Sequence, residues 1–96
     1  MQEVYLIKKD NKNKAELALK ADELVNRGSI TIKEPASLDM EEDGVFFILD
    51  MNEHAMKRAE ELLKDLGEKY KKKDKVIKAV QEQEDAAMSG FGNILG

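Results

Sequence analysis

The acidic stretch SLDMEEDGVFFILDMNEH contains the residues whose types and spacing come closest to a known binding site in this chain. Asp39, Glu41 and Asp43 occupy the first, third and fifth positions of an EF-hand calcium loop. Gly44 falls at the glycine position of that loop, and Asp50 closes it. Calcium is bound by a shell of oxygen ligands, several of which these carboxylates could supply. The spacing therefore keeps open a calcium-binding protein that uses an acidic loop.

The residues around this loop favour a different interpretation. An EF-hand needs a helix before its loop, and Pro35 interrupts that possibility. Phe47 stands at a position that often carries a polar ligand, and residues 45–49 are a dense run of β-forming residues. The dipeptide Asp43-Gly44 is typical of a turn. We therefore predict that the stretch is the second half of a β-hairpin, followed by the start of a helix.

Other arrangements that could carry catalysis are incomplete. His54 is the only histidine and there is no cysteine, so neutral nitrogen and thiolate ligands for a metal are too few. Ser29, Ser37 and Ser89 would have to share that one histidine in any catalytic triad. The glycines around Phe91 resemble a phosphate-binding loop, but no strand precedes them and no helix follows them. We expect a non-enzymatic protein with no catalytic residue, no metal and no cofactor.

The composition indicates a small folded protein with a highly charged surface. The chain has 96 residues and a net charge of −4, with 42% hydrophobic and 38% charged residues. Abundant Lys and Glu, without Cys or Trp, are typical of a thermophile. The apolar run near the start is too short for a signal peptide, and no stretch approaches a membrane span. We therefore expect a cytoplasmic location and no membrane partner.

The first half of the chain predicts one helix and one clear strand. Residues 4–7 form an apolar run that suits a strand, although a first helical turn stays open. Asn13, followed by Glu16, resembles a capping box, which predicts a helix that ends at Gly28. Residues 29–34 alternate apolar and polar side chains, as a half-buried strand does. The apolar stripe of the helix is expected at Leu17, Ala21, Leu24 and Val25.

The second half predicts a buried strand and a long helix. Residues 45–49 are apolar on both sides, so both faces of this strand need cover. Asn52 can cap the helix that follows. Gly67 weakens that helix, which either bends there into a third helix or continues to about Ala87; we predict the continuous helix.

These elements predict an α+β fold, with the order βαββα or αββα. A short antiparallel hairpin, with a possible third strand at the N-terminus, would carry two helices on one face. Residues 1–87 would form a single domain, and residues 88–96 a flexible, glycine-rich apolar tail.

The second face of that sheet would be apolar and uncovered. Phe46 and Ile48 point to it, and the two predicted helices lie on the other side. Either the C-terminal extension or a second subunit must cover this face, and we predict a homodimer through it. The apolar tail residues either fold back onto the domain or bind an unknown protein partner. The predicted interaction residues are Phe46, Ile48, Met88, Phe91, Ile94 and Leu95.

A basic cluster keeps a further alternative open. Six lysines accompany Tyr70 in one segment, which is either a solvated part of the helix or a patch for an acidic partner or nucleic acid. Only one aromatic residue accompanies the charge, so we expect a nucleic-acid-binding module less than a protein-binding one. The lysines are Lys69, Lys71, Lys72, Lys73, Lys75 and Lys78.

Three stretches carry a resemblance to known proteins. They are the strand pair ITIKEP and DGVFFILD, and the terminal MSGFGNILG. With these stretches the chain resembles small uncharacterised archaeal proteins of methanogen type, in which two helices back a hairpin. The layout is also similar to the topological-specificity domain of the division regulator MinE, which associates through its strands. The resemblance implies an α+β fold and brings no site residues.

Overall fold

The structure is a computed structural model that describes the backbone of residues 1–95 and the side chains of residues 1–84. The predicted α+β class is confirmed, because three α-helices pack on one antiparallel sheet of four strands. These elements are β1 (Gln2–Ile7), α1 (Lys12–Ala21), β2 (Ser29–Lys33), β3 (Val45–Asp50), α2 (Glu53–Leu63), β4 (Gly67–Lys69) and α3 (Lys73–Leu95). Short 3₁₀ helices lie at Lys9–Asn11, Val25–Arg27 and Pro35–Leu38.

The strands form one antiparallel sheet in the order β2-β3-β1-β4. The N-terminal apolar run is therefore a strand, and the predicted order βαββα matches the elements from β1 to α2, after which β4 and α3 follow. In the predicted hairpin, β2 pairs with β3 so that Ile30 lies opposite Leu49 and Ile32 opposite Phe47. The two central strands, β1 and β3, are the most apolar, as expected for strands that are covered on both faces.

The helices α1 and α2 cover the first face of the sheet. Residues at alternate positions of β1 and β3 point to this face and pack against both helices. The Asn52 side chain caps α2 as predicted, because it accepts a hydrogen bond from the Ala55 backbone N–H at 2.9 Å. The largest fully buried side chains of this face are Ile7, Leu19, Phe47, Leu49 and Leu63.

The predicted stripe of α1 was wrong in detail. Leu17 is 70% exposed and Leu24 is 51% exposed, whereas Ala15 and Leu19 are fully buried. The helix also ends at Ala21 rather than at the predicted glycine. Asp22 causes this early end, because its Oδ1 accepts hydrogen bonds from the backbone N–H groups of Leu24 and Val25 at 3.0 and 3.2 Å.

The predicted continuous helix after Asn52 was also wrong, and the bend near Gly67 leads into a third helix. The chain leaves α2 after Leu63 and adds the short strand β4 to the edge of β1. A side chain at Gly67 would place its Cβ 2.3 Å from the carbonyl oxygen of Leu6. The glycine therefore permits the close approach of the two backbones that this pairing requires.

The helix α3 covers the second face of the sheet. Its residues Val76 and Val80 pack against Val4, Phe46 and Ile48 of the sheet. Two polar contacts hold the helix in this place. Lys73 Nζ lies 3.0 Å from a carboxylate oxygen of Glu3, and the Gln83 amide donates to the Ser37 carbonyl at 3.0 Å. The cover of this face thus comes from the same chain.

The predicted boundary between a domain of residues 1–87 and a tail of residues 88–96 is not tested and stays a prediction. The helix α3 is assigned to Leu95, and the side chains of residues 88–96 lie outside the described residues. Among the helices that the structure describes, none combines the length and the apolar character needed to cross a membrane.

Candidate functional site

The predicted interaction residues of the sheet are buried inside the chain. Phe46 is fully buried and Ile48 is 8% exposed, so the expectation that they form an open apolar face was wrong. The C-terminal extension was the alternative cover for this face, and it was not preferred because the break near Gly67 that brings α3 to the face was not predicted. The other predicted interaction residues, Met88, Phe91, Ile94 and Leu95, belong to the part whose side chains are not described, and their role stays a prediction.

The acidic stretch forms a connection into β3, as the hairpin interpretation predicts. A 3₁₀ helix overlaps its first two residues, and the strand β3, rather than a loop around an ion, follows Gly44. Gly44 has a φ of 138°, and a Cβ there would lie 2.7 Å from the Ile7 carbonyl oxygen. The backbone geometry therefore accounts for this glycine without calcium. Within residues 1–84, no group of three His, Asp or Glu side chains converges to hold a metal ion.

The basic cluster is divided between three elements instead of lying on one helix. Lys69 belongs to β4 and lies 3.8 Å from a Glu60 carboxylate oxygen. Lys71 and Lys72 lie in the turn that follows, and Lys73 begins α3 with an ion pair to Glu3. Two lysines of the cluster therefore connect elements of the fold: Lys69 joins β4 to α2, and Lys73 joins α3 to β1.

One long edge of the sheet is open. Among the described residues, β2 is hydrogen-bonded to β3 on one side and to no strand on the other. Alternate residues of an antiparallel edge strand direct their backbone N–H and C=O groups away from the sheet. Lys33 is the only charged residue of β2, and the strand contains no proline. The half-buried Ile30 and Ile32 add apolar surface to this edge.

The apolar surface continues at the start of β2. Leu24, one of the exposed leucines, lines the same surface hollow as Ser29 and Met51. On the second face, Thr31 lies beside Ile77 and Val80 of α3 in a shallow groove. The open edge is therefore bordered by apolar and polar side chains together, since Asp50 lines both hollows and Glu84 the one beside α3.

The opposite edge of the sheet differs in length and charge. β4 has three residues, of which Glu68 and Lys69 are charged and exposed. Short, charged edge strands resist pairing with another chain. Of the two edges, β2 is the one with the composition of a pairing strand.

A pocket of about 580 Å³ lies where β4 meets α2. Tyr5 of β1 contributes to its wall, although this side chain is only 3% exposed. The Tyr5 hydroxyl is buried and has no hydrogen-bond partner among the described residues. Burial raises the pKa of Tyr5 to about 12, and the negative charges of Glu60 and Glu3 add to this increase. The phenol is therefore a hydrogen-bond donor at neutral pH.

Sequence reasoning missed this pocket. Tyr5 stands in an apolar run and was assigned with it to a buried strand, and the sequence contains no signal for the partner of its hydroxyl. The charged lining residues come from α2, from Lys64 directly after it and from β4, and β4 itself was not predicted. A tyrosine inside an otherwise aliphatic strand was the one available hint, since a buried tyrosine usually needs a polar partner.

Comparison of the chain with protein-family models, with curated proteins and with solved structures gives no match. The resemblance to small archaeal proteins and to the MinE domain stays a prediction.

Proposed function

We propose that this chain is a non-enzymatic protein–protein interaction protein that self-associates through the open edge of β2. The single observation that supports this function most is the unpaired edge, which carries one charged residue in five. Natural sheets usually protect such an edge with charge, proline, a bulge or a covering loop. The sequence predicted self-association through the sheet face, which α3 covers. The β2 edge is the surface proposed in its place.

The sequence of β2 is self-complementary in the antiparallel direction. A two-fold axis at Thr31 would place this residue opposite Thr31 of a second copy, and Ile30 opposite Ile32. Pairs of β-branched residues across two strands stabilise a sheet by about 0.2–1 kcal/mol each. Ser29 would lie opposite Lys33, so the register brings no like charges together. Two sheets would then join into one continuous sheet.

The predicted tail gives a second contact in this proposal. Met88, Phe91, Ile94 and Leu95 would bind an additional protein partner, and the β2 edge would hold the two copies together.

Calcium binding and nucleic-acid binding receive no specific support from the geometry, because a strand occupies half of the acidic loop and ion pairs occupy part of the lysine cluster.

Sedimentation equilibrium over a range of protein concentrations tests this function. We expect a reversible dimer, together with backbone amides in Ser29–Lys33 whose hydrogen exchange slows as the concentration rises. Thr31→Lys would place two ammonium groups opposite each other at the axis and shift the protein to a monomer. Glu68→Gln changes the net charge by the same amount at the other edge, and this control should leave the dimer intact.

Two outcomes would contradict the proposal. One is a protein that stays monomeric at all concentrations with unchanged exchange in β2. The other is a dimer that Thr31→Lys leaves unaffected while the circular dichroism of the variant remains native. An extended peptide from another protein that protects the β2 amides of a monomer would replace the second copy as the partner.

A further inference from the structure

The Tyr5 hydroxyl presents an unsatisfied donor in a well-packed part of the molecule. It is the one buried side-chain polar atom without a hydrogen-bond partner within the described residues, and Tyr5 itself is 3% exposed. Buried hydroxyl groups in native proteins are nearly always paired with protein, water or ligand, because an unpaired one is costly. A partner for this hydroxyl is therefore expected from outside the chain.

The surroundings of this hydroxyl have the form of a ligand site. The pocket of about 580 Å³ lies within the size range of small-molecule sites, and Leu63 and Gly67 give it apolar and backbone surface. Gly67 cannot carry a side chain here, since a Cβ would also lie 2.7 Å from Ile7 Cδ1. The β1–β4 pairing thus places a residue without a side chain in the wall of the pocket.

The charged residues of the pocket favour an anion. Its lining contains three lysines and two glutamates. Both glutamates have cationic partners, and Lys57 lies 3.7 Å from a carboxylate oxygen of Glu53. Glu60 lies 3.8 Å from Lys69, and Glu61 lies 3.1 Å from Arg58. Lys64 has no ion-pair partner among the side chains of residues 1–84. Ion pairs at the surface are weak, so an anionic ligand can compete for the lysines.

We propose that this pocket binds a small organic anion. An oxygen of the ligand accepts a hydrogen bond from the Tyr5 hydroxyl, its body contacts Leu63 and Gly67, and its negative group lies among Lys57, Lys64 and Lys69. The hydroxyl exposes less than 1 Å², so a neighbouring side chain must rotate before the ligand reaches it.

The site is independent of the proposed self-association. The pocket lies at the β4 edge, and the self-association edge is β2 at the opposite end of the sheet. Loss of the dimer would therefore leave ligand binding intact, and loss of ligand binding would leave the dimer intact.

Titration of the full chain with benzoate, with adenosine monophosphate and with inorganic phosphate, followed by amide NMR, tests the proposal. We expect saturable shifts of the Lys64, Gly67 and Lys69 amides with at least one organic probe. A preference for benzoate would assign a carboxylate ligand, and a preference for the nucleotide would assign a phosphate ligand. Weaker binding of inorganic phosphate would support the need for an organic body.

Two matched variants isolate the hydroxyl. Tyr5→Phe removes the proposed donor and should weaken binding about tenfold or more, as expected for one hydrogen bond to a charged group. Tyr70→Phe removes the only other tyrosine hydroxyl, which donates to Glu42 Oε1 at 2.8 Å near the opposite face, and should leave binding unchanged. Lys64→Gln should weaken binding. It should also make the affinity less sensitive to salt concentration, because one positive charge at the site is lost.

The proposal is overturned by any of three results. The first is the absence of saturable shifts with all three probes. The second is equal affinity in the wild type and in Tyr5→Phe, provided that the variant keeps its native NMR spectrum. The third is equal affinity for inorganic phosphate and both organic probes, because charge alone would then be sufficient.

Discussion

The ring of Tyr70 meets the ring of Phe46 edge to face, with centroids 4.9 Å apart and planes inclined by 62°. The Tyr70 backbone N–H also donates to the Val4 carbonyl at 2.8 Å, and its hydroxyl donates to Glu42 Oε1 at 2.8 Å. Tyr70, which directly follows β4, therefore contacts both central strands and the acidic connection before β3. This contact helps to place α3 over the second face, which closes the surface that the sequence predicts to be open.

Removal of the Phe46 side chain should destabilise the monomer strongly. Phe46→Ala leaves a cavity beneath α3 and should lower the free energy of unfolding by about 3–5 kcal/mol. Urea unfolding measures this loss. Leu17→Ala is the control, because that leucine is 70% exposed, and its change should stay within about 0.5 kcal/mol. Similar losses in both variants would contradict the buried position of Phe46.

A methyl group at Gly67 should separate β4 from β1. In Gly67→Ala the new Cβ would lie 2.3 Å from the Leu6 carbonyl oxygen, a backbone atom that cannot turn aside. We expect a loss of about 1–3 kcal/mol in unfolding free energy, in the range seen for overpacking. Amide exchange at the Lys69 and Tyr70 positions should become faster. Glu68→Ala, an exposed change in the same strand, should leave this exchange nearly unchanged.

Replacement of Tyr5 by phenylalanine should stabilise the free protein. The variant keeps the ring in the core and removes a buried hydroxyl that has no partner, so its unfolding free energy should rise by about 1 kcal/mol. Tyr70→Phe loses a hydrogen bond at an exposed position and should be neutral or slightly less stable. A Tyr5→Phe variant that is markedly less stable than the wild type would show that the hydroxyl has a partner in the free protein.

Alkaline pH should destabilise the fold through Tyr5. Its pKa is about 12 in the folded state, against about 10 in the unfolded chain. Below the unfolded value the phenol is neutral in both states, and stability falls as the pH rises from the unfolded to the folded value, because the unfolded chain ionises first. The loss is on the order of 2 kcal/mol. Unfolding measured between these pH values should show a steeper decline in the wild type than in Tyr5→Phe.

The Asp22 carboxyl should titrate below the usual range of aspartate. A hydrogen bond from Arg58 Nε at 2.7 Å is the main cause of its lowered pKa, and backbone N–H groups of Val25 and Leu24 contribute. This contribution to stability is present above the unfolded pKa and is lost as the pH falls through the folded pKa. Carboxyl-carbon NMR should show the Asp22 pKa rising in Arg58→Gln.

A control separates this pair from the second partner of Arg58. Glu61 accepts a hydrogen bond from Arg58 Nη1 at 3.1 Å, and Glu61→Gln leaves the Asp22 contact in place. The Asp22 pKa should therefore stay low in that variant. An equal rise in both variants would show that Glu61 is needed to hold Arg58 against Asp22, because removal of the Glu61 charge by itself can only lower the Asp22 pKa.

Local patterns predicted the hairpin and the start of α2 correctly. The alternation in β2, the doubly apolar β3 and the Asn52 cap each depend on a few neighbouring residues. The pattern also identified the side of the sheet to which Phe46 points. The cover of that side was missed because it depends on β4, whose three residues contain no large apolar side chain.

The remaining errors also have physical reasons. In α1, the stripe with Leu17 and the stripe with Leu19 have the same helical spacing, and only the packing against the sheet decides between them. The candidate site depends on the unsatisfied hydroxyl of Tyr5 and on the pocket between α2 and β4. Neither feature can be predicted from the sequence, because both arise from residues that are far apart in the sequence.

The central place of β1 has a consequence for the chain as it leaves the ribosome. Tyr5 is made well before Phe47 and Lys69, which are its neighbours in the sheet. The nascent chain therefore exposes this apolar strand until β3 has been made, and such pairing between distant segments is slow to form. During that interval Val4 and Ile7 are natural contacts for a chaperone.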